Sequence, residues 1–447
     1  MARSLRCRGF YDSPLFQIFY DHFESFQEEY TRRFESQFGF YRYVWDETLR
    51  RFFECGDPRF GMARYECGRC KQNLYVPFSC KTRLFCPSCH QKKIELWLDD
   101  VMDNVIYKDM PHRFWTFSIP KRLRVYFQYR HKLMTHLVEA AKQTVLFAMG
   151  DGQSLSFTAP GMITLIQTSG DELNFNCHLH ALITDGLVDY ADPHKLSFNR
   201  CQHYDFVQMT ELFRLFVLKI LHKHNVIPQS VVDNMLTWNH SGFHVHASNR
   251  FKDPDRMRKC LEYSFRPPVT LQSLSYDKTA KTVYYKTKKL KDLSFSAHDF
   301  IAHVLQHVPD RYQNMRRYAG CYAANVRLRI QRARAGGLQK DVEVVITQGG
   351  KPNKINWAKL IARTFGETPT KCPRCHEEMK LVGFVFDVRI LADFGYLKRA
   401  PPKMKVIKYS QIPKQPVIEA YQNQDQGTIV YKQPMPDYEN LDQSISW

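Results

Sequence analysis

The stretch NFNCHLHALITDG, residues 174–186, decides the fold. It is an apolar run closed by a turn signal, Asp185-Gly186. Side chains on a strand alternate between faces, so His178 and His180 point one way and Leu179 the other. Buried imidazoles need partners, and two side by side on one face invite a shared metal ion. Upstream, GMITLIQTSG (161–170) reads as a second strand, joined to the first by the short polar connection SGDEL. A second such triplet, His244-Val245-His246 in GFHVHAS (242–248), shows that the pattern alone is weak.

Moving outward, PHRFWTFSIP (111–120) is β-prone and closed by Pro120. Residues 10–54 and 126–149 have helical periodicity. VQMTELFRLFVLKILHKH (207–224) reads as an amphipathic helix, and so does AHDFIAHVLQHV (297–308). Tyr284 and Tyr285 sit in a Lys-rich, hairpin-like stretch. Past residue 400 the chain is rich in Pro, Gln and Lys without periodicity, which predicts a disordered tail over 400–447.

The 447 residues suffice for two or three domains with a sizeable core. No run of about 18 apolar residues occurs, so no membrane span is expected. The start, MARSLRCRGFYDSPLF, lacks the apolar core of a secretory signal, and an intracellular protein is expected. The net charge is +19, which points to a polyanionic partner, with nucleic acid first. Thirteen cysteines, an odd count with several in C-x-x-C pairs, point to metal rather than to a disulfide framework.

Cys67-x2-Cys70 and Cys86-x2-Cys89 lie fifteen residues apart, the two-knuckle spacing of a structural zinc site. Four thiolates surround Zn²⁺ tetrahedrally, and each C-x-x-C turn presents two of them. Cys80 and His90 are spare donors. A third knuckle, Cys372 and Cys375 in KCPRCHEEMK, lacks nearby partners, and Cys321 is one candidate.

In DPDRMRKCLEYSFRPP (253–268), Asp253 is set to cap a helix, with Pro254 at its first position and Pro267-Pro268 as a stop. Met257, Cys260, Leu261 and Ser264 share one buried face. Tyr263 falls on the exposed flank with Lys259 one turn before it.

With these segments in order, the chain resembles the rolling-circle transposases of the insertion sequence 91 type, members of the His-hydrophobe-His single-strand nucleases. The pieces that carry the resemblance are YECGRC, SCKTRLFCPSCHQ, PHRFWTFSIP, TLIQTSGDELNFNCHLHALITDG, GFHVHA with LEYSFRPPV, and CPRCHEEMKLVGFV. They cover most of residues 30–390. The resemblance implies an α+β fold: an antiparallel-sheet nuclease domain with flanking helices. A helical segment (1–64) and a small zinc-binding domain (65–110) precede the nuclease domain (111–330), and a knuckle region (331–399) and the tail follow. It implies His178 and His180 as ligands of Mg²⁺ or Mn²⁺, Tyr263 as the nucleophile, and Zn²⁺ as a structural ion. Lys259 and Arg266 would contact DNA. Lys259 stands where two-tyrosine members carry a second tyrosine, and Gln167 stands where many members carry histidine. Gln167 and His246 are alternative third ligands.

The implied reaction nicks and joins single-stranded DNA through a phosphotyrosine intermediate. No P-loop is present, so no nucleotide cofactor is expected. The expected location is the bacterial cytoplasm, at the nucleoid. Three rival readings remain at this level: a replication initiator or relaxase with the same chemistry, a non-catalytic zinc DNA-binding protein, and a metal-dependent hydrolase. The positive charge and the absence of a carboxylate-rich metal site weigh against the last.

Overall fold

The computed structural model describes residues 12–150, 157–201, 203–287, 289–334 and 371–386, together with the short strands Arg3–Leu5, Tyr421–Gln422 and Ile429–Val430. Apart from that last strand pair, the tail expected over 400–447 lies outside the described residues.

Helix α1 (Pro14–Arg33) starts on Ser13, whose hydroxyl accepts from the Phe16 N–H at 3.3 Å. Its aromatic stripe, Phe16, Phe19, Phe23, Phe26 and Tyr30, is buried. The helical stretch expected over 10–54 breaks at Gly39, whose φ of 86° ends a short helical turn, and resumes as α2 (Val44–Phe53). A hairpin follows, β1 (Met62–Cys67) and β2 (Asn73–Pro77), and then α3 (Pro87–Asn104). Next come strand β3 (His112–Ser118) and helices α4 (Lys121–Tyr129) and α5 (Met134–Met149). The helix expected over 126–149 is thus two helices, divided near Arg130, where the backbone leaves helical angles.

The strand pair is β4 (Gly161–Ser169) and β5 (Phe175–Thr184), followed by α6 (Phe206–Lys223), β6 (His244–Ala247) and α7 (Pro254–Ser264). A meander, β7 (Leu274–Asp277), β8 (Thr282–Lys286) and β9 (Asp292–Ser296), leads into α8 (Ala297–Leu305). Strands β10 (Arg316–Gly320) and β11 (Met379–Val385) complete the set used below.

The central sheet has the order β6-β3-β5-β4-β10 and is antiparallel throughout. The α+β reading, with the His178–His180 strand at the centre, is what the molecule shows. One face carries Trp115, Phe117, Leu179 and Ala181, all fully buried, and α6 packs there through Phe213, 5.3 Å from Phe117. Truncating such a ring typically costs about 3–5 kcal/mol. The register fixes the other face. Gln167, His178, Ser118 and His244 form one row across the strands. Arg316, Leu165, His180, Thr116 and His246 form the next. Helix α7 lies over β4 and β5 on this side and buries Met257, Leu261 and Ser264.

A second core joins α1, α2, the meander and α8, through Phe19, Phe26, Phe52, Phe85, Val283 and Phe300. The first helices therefore pack on chain some 270 residues later, as the Arg42–Asp310 ion pair at 2.5 Å also shows.

Candidate active site and two cysteine clusters

His178 and His180 lie on adjacent same-face positions of β5, with ring centroids 4.9 Å apart. The Nδ1–H of His178 donates to the carbonyl of Asn176 at 2.8 Å, which places the lone pair on Nε2. A metal-binding histidine needs that tautomer, with its other nitrogen held by a carbonyl. His180 Nε2 is 3.0 Å from Gln167 Oε1, and its Nδ1 is 3.3 Å from Thr116 Oγ1. The Nε2–H of His180 therefore donates to Gln167 Oε1 on the neighbouring strand, and His178 stands beside them on the same face, so two imidazoles and an amide oxygen share one patch of the sheet. That donor set fits a divalent cation, and mixed N/O ligands suit several.

His246 shares the face but sits two strands from His180, and it is exposed. Among the described residues, no further His, Cys, Asp or Glu joins the two histidines in a group of three ligand atoms. Gln167 Oε1 is within hydrogen-bond reach of His180, whereas His246 lies two strands away.

Helix α7 forms as its residues dictate. The Asp253 carboxylate accepts from the Asp255 N–H at 3.0 Å, Pro254 is the first residue, and Met257 and Leu261 anchor the buried side. The helix stops at Ser264, three residues before Pro267. Tyr263 is 46% exposed, and the Arg266 guanidinium lies 5.3 Å from its ring centre. Lys259 is exposed one turn earlier. Gln167, Ser169, Ser264, Phe265 and Arg266 line one cleft, so the end of the tyrosine helix opens beside the strand donors.

Two contacts that the sequence did not announce hold α7 in place. Arg258 reaches Glu95 at 2.6 Å and Asp99 at 2.9 Å, both on α3. His90, also on α3, donates from Nε2 to the Phe265 carbonyl at 2.7 Å, while its Nδ1 accepts from the Leu84 N–H. Burial lowers the His90 pKa to about 4, so this imidazole is neutral. Both of its nitrogens are committed, and the spare-donor reading of His90 is corrected.

The single four-cysteine site expected from spacing does not form. Cys67 and Cys70 join Cys372 and Cys375, whereas Cys86 and Cys89 join Cys55 and Cys80. In each group the sulfurs all lie within 4.8 Å of one another. The close pairs are Cys55–Cys89 at 3.5 Å, Cys67–Cys375 at 3.5 Å and Cys70–Cys372 at 3.4 Å. These are near the roughly 3.8 Å edge of a tetrahedron built on Zn–S bonds of about 2.3 Å.

The reason for the exchange is local. In the first knuckle the Lys71 N–H donates to the Cys67 carbonyl and Lys71 has φ 59°. In the other, the His376 N–H donates to the Cys372 carbonyl and His376 has φ 58°. The two turns are the same structure, and β11 pairing with β1 brings them face to face. Cys321, offered as a partner for Cys372 and Cys375, is instead buried in the main core.

In the inner cluster, hydrogen bonds with Cys55, Cys80 and Cys86 pull the Cys89 thiol down, while those with Cys55 and Cys89 push Cys80 and Cys86 up. Four crowded thiols cannot all ionise unless a cation shares them, which is the chemistry of a structural Zn²⁺ site. Cys55 carries no spacing signal. Cys372 and Cys375 had one, since CPRCHE repeats the pattern of CGRCKQ.

A strongly basic α+β chain with two tetrathiolate sites and a histidine–glutamine donor set beneath a tyrosine helix has the make-up of a zinc-containing DNA-processing protein. Comparisons with known proteins agree. Residues 19–119 match the family model described as "Transposase zinc-binding domain", and residues 161–329 match "Putative transposase". A transposase for insertion sequence element IS801, from Pseudomonas savastanoi pv. phaseolicola, is 24% identical over 352 residues, spanning 74% of this chain and 82% of that relative. No solved structure matches the chain. The chain belongs to the transposases of the insertion sequence 91 type, with structural zinc in its cysteine-rich part and DNA as its substrate. No helix among the described residues is long and apolar enough to cross a membrane.

Proposed function

We propose that this transposase nicks and rejoins single-stranded DNA in rolling-circle transposition, through a phosphotyrosine formed on Tyr263. The observation that carries the reading is the convergence of His178, His180 and Gln167 on one sheet face beneath the helix that bears Tyr263. His178 Nε2, Gln167 Oε1 and, once it gives up the proton it donates to Gln167, His180 Nε2 would hold Mg²⁺ or Mn²⁺. When bound, such an ion supplies Lewis-acid polarisation of a phosphate oxygen.

The chain's own groups do the rest. Thr116 and Asn176 fix the orientation of the two imidazoles. The Tyr263 phenol gives up its proton as its oxygen attacks phosphorus, a tyrosyl–phosphate bond forms at the 5′ side, and the phosphorus–oxygen bond to the 3′ side breaks. The released 3′ oxygen takes up a proton. The ester keeps the bond energy, so a DNA 3′-hydroxyl can later displace the tyrosine and rejoin the strand. Arg266, stacked on the Tyr263 ring, and Lys259, one turn away, contribute positive charge for the flanking phosphates.

The test is covalent capture. Labelled single-stranded DNA carrying the element's ends is incubated with protein and Mg²⁺ or Mn²⁺, then run on a denaturing gel. A retarded band is expected. Tyr263→Phe, or His178→Ala with His180→Ala, should abolish it while leaving DNA binding in place. Binding without a covalent band on any end sequence would instead mean a non-catalytic zinc DNA-binding protein.

A further inference from the structure

An open groove runs between α2 and the segment 308–312, and five of its lining side chains are cations: Arg51, Lys81, Arg83, Lys93 and Arg311. Arg51 is answered by Glu47 at 2.7 Å, and Asp310 is committed to Arg42. Among the described residues, no carboxylate forms an ion pair with Lys81, Arg83, Lys93 or Arg311. Arg83 is held by backbone instead, donating to the Gln313 carbonyl at 2.7 Å. Lys93 donates to the Lys81 carbonyl. At the mouth, Arg311 lies 5.1 Å from the ring centre of Tyr312, which is 85% exposed.

The row of cations continues toward α7. Arg316 opposes Leu165 in the sheet, so it shares a face with His178 and His180. Its guanidinium lies 5.0 Å from the Trp97 ring and 5.3 Å from Phe265, the residue that caps α7. The next residue, Arg266, covers Tyr263. Arg83, Lys93 and Arg316 are half-buried, so water does not fully screen their repulsion. A polyanion laid along the row would meet cations that no carboxylate answers.

We propose that Tyr312, Arg311, Arg83, Lys93, Arg316 and Arg266 form a track that carries single-stranded DNA to Tyr263, with phosphates on the cations and a base stacked on Tyr312. The endpoint of the track rests on the reading of Tyr263 as the nucleophile. An exposed ring beside unpaired cations favours a single strand over a duplex, whose bases are already stacked.

The experiment measures binding of the full, zinc-loaded chain to a labelled thirty-residue oligothymidylate and to a duplex of equal length, by fluorescence anisotropy across a salt series. Arg311→Ala combined with Lys93→Gln should flatten the plot of log affinity against log salt by about 1.4, from roughly 0.7 per lost phosphate contact. Tyr312→Ala should weaken the single strand about tenfold and leave the duplex unchanged. Arg32→Ala, a highly exposed cation on α1, is the control. Slopes and affinities indistinguishable from wild type or from the control overturn the track, and so does a Tyr312→Ala loss equal on both DNAs. Covalent capture separates the two readings. If wild type captures DNA and the track variants bind normally, the track is wrong and the nucleophile stands. If the track variants lose binding and wild type never captures DNA, the track stands and the nucleophile reading falls.

Discussion

Gln167 gives the strand donors their particular character. An amide oxygen is a neutral, weaker ligand than an imidazole, and it meets His180 at 3.0 Å only because β4 pairs with β5 in a register that sets Gln167 opposite His178. Gln167→Ala should weaken manganese binding tenfold or more, and Gln167→His should tighten it, both read by calorimetric titration. Unchanged affinity in both variants would exclude Gln167 as a ligand. At this scale the sequence was informative wherever a strand alternation did the work. His178 and His180 had to share a face. The choice between Gln167 and His246 was not legible, because it depends on which strands are neighbours. Strand β3 intervenes between β5 and β6, so His246 stands two strands from His180 while Gln167 stands on the next strand.

Among the elements, the knuckles are the instructive case. Each C-x-x-C turn was readable from sequence, yet the spacing between turns misassigned their partners. The turn geometry is local, while the pairing of turns follows from β1 meeting β11 across more than 300 residues. Two zinc ions per chain are expected by elemental analysis. Cys372→Ser should lose one of them with a small change in melting temperature, since the outer cluster closes on a small satellite core. Cys86→Ser should also lose one, but it sits in the aromatic core with Phe19, Phe52 and Phe85. A loss of several kcal/mol there should lower Tm by roughly 10 °C or more, at about 2–4 °C per kcal/mol. A single zinc per chain, or equal effects of the two variants, would contradict this arrangement.

Across the whole molecule, buried neutral histidines tie stability to pH. Burial lowers His112 to about 4 and His307 to about 3. His112 sits between the Met110 carbonyl at 2.8 Å and the Tyr322 hydroxyl at 2.6 Å. Because the folded pKa values lie below the ordinary 6.5, the unfolded chain takes up protons first. Their contribution is fully present above pH 6.5 and is lost as pH falls toward 4, by about 3 kcal/mol for His112. Urea midpoints should therefore drop steadily from pH 7 to pH 4.5, with zinc content followed in parallel because acid also releases metal from thiolates. A flat profile would mean that these imidazoles are not held neutral.

What the sequence determined by itself was everything governed by local geometry. The strand with its two same-face histidines, the capped helix presenting Tyr263, the C-x-x-C turns and the basic charge all follow from residue order and short-range sterics. What only the tertiary structure decided was which of these pieces meet. Gln167 rather than His246 stands beside His180, Cys55 and Cys375 complete separate clusters, and Arg258 and His90 tie the tyrosine helix to α3. Such pairings arise from sheet order and from burial of distant apolar faces, and no window of sequence shorter than the whole fold contains that information.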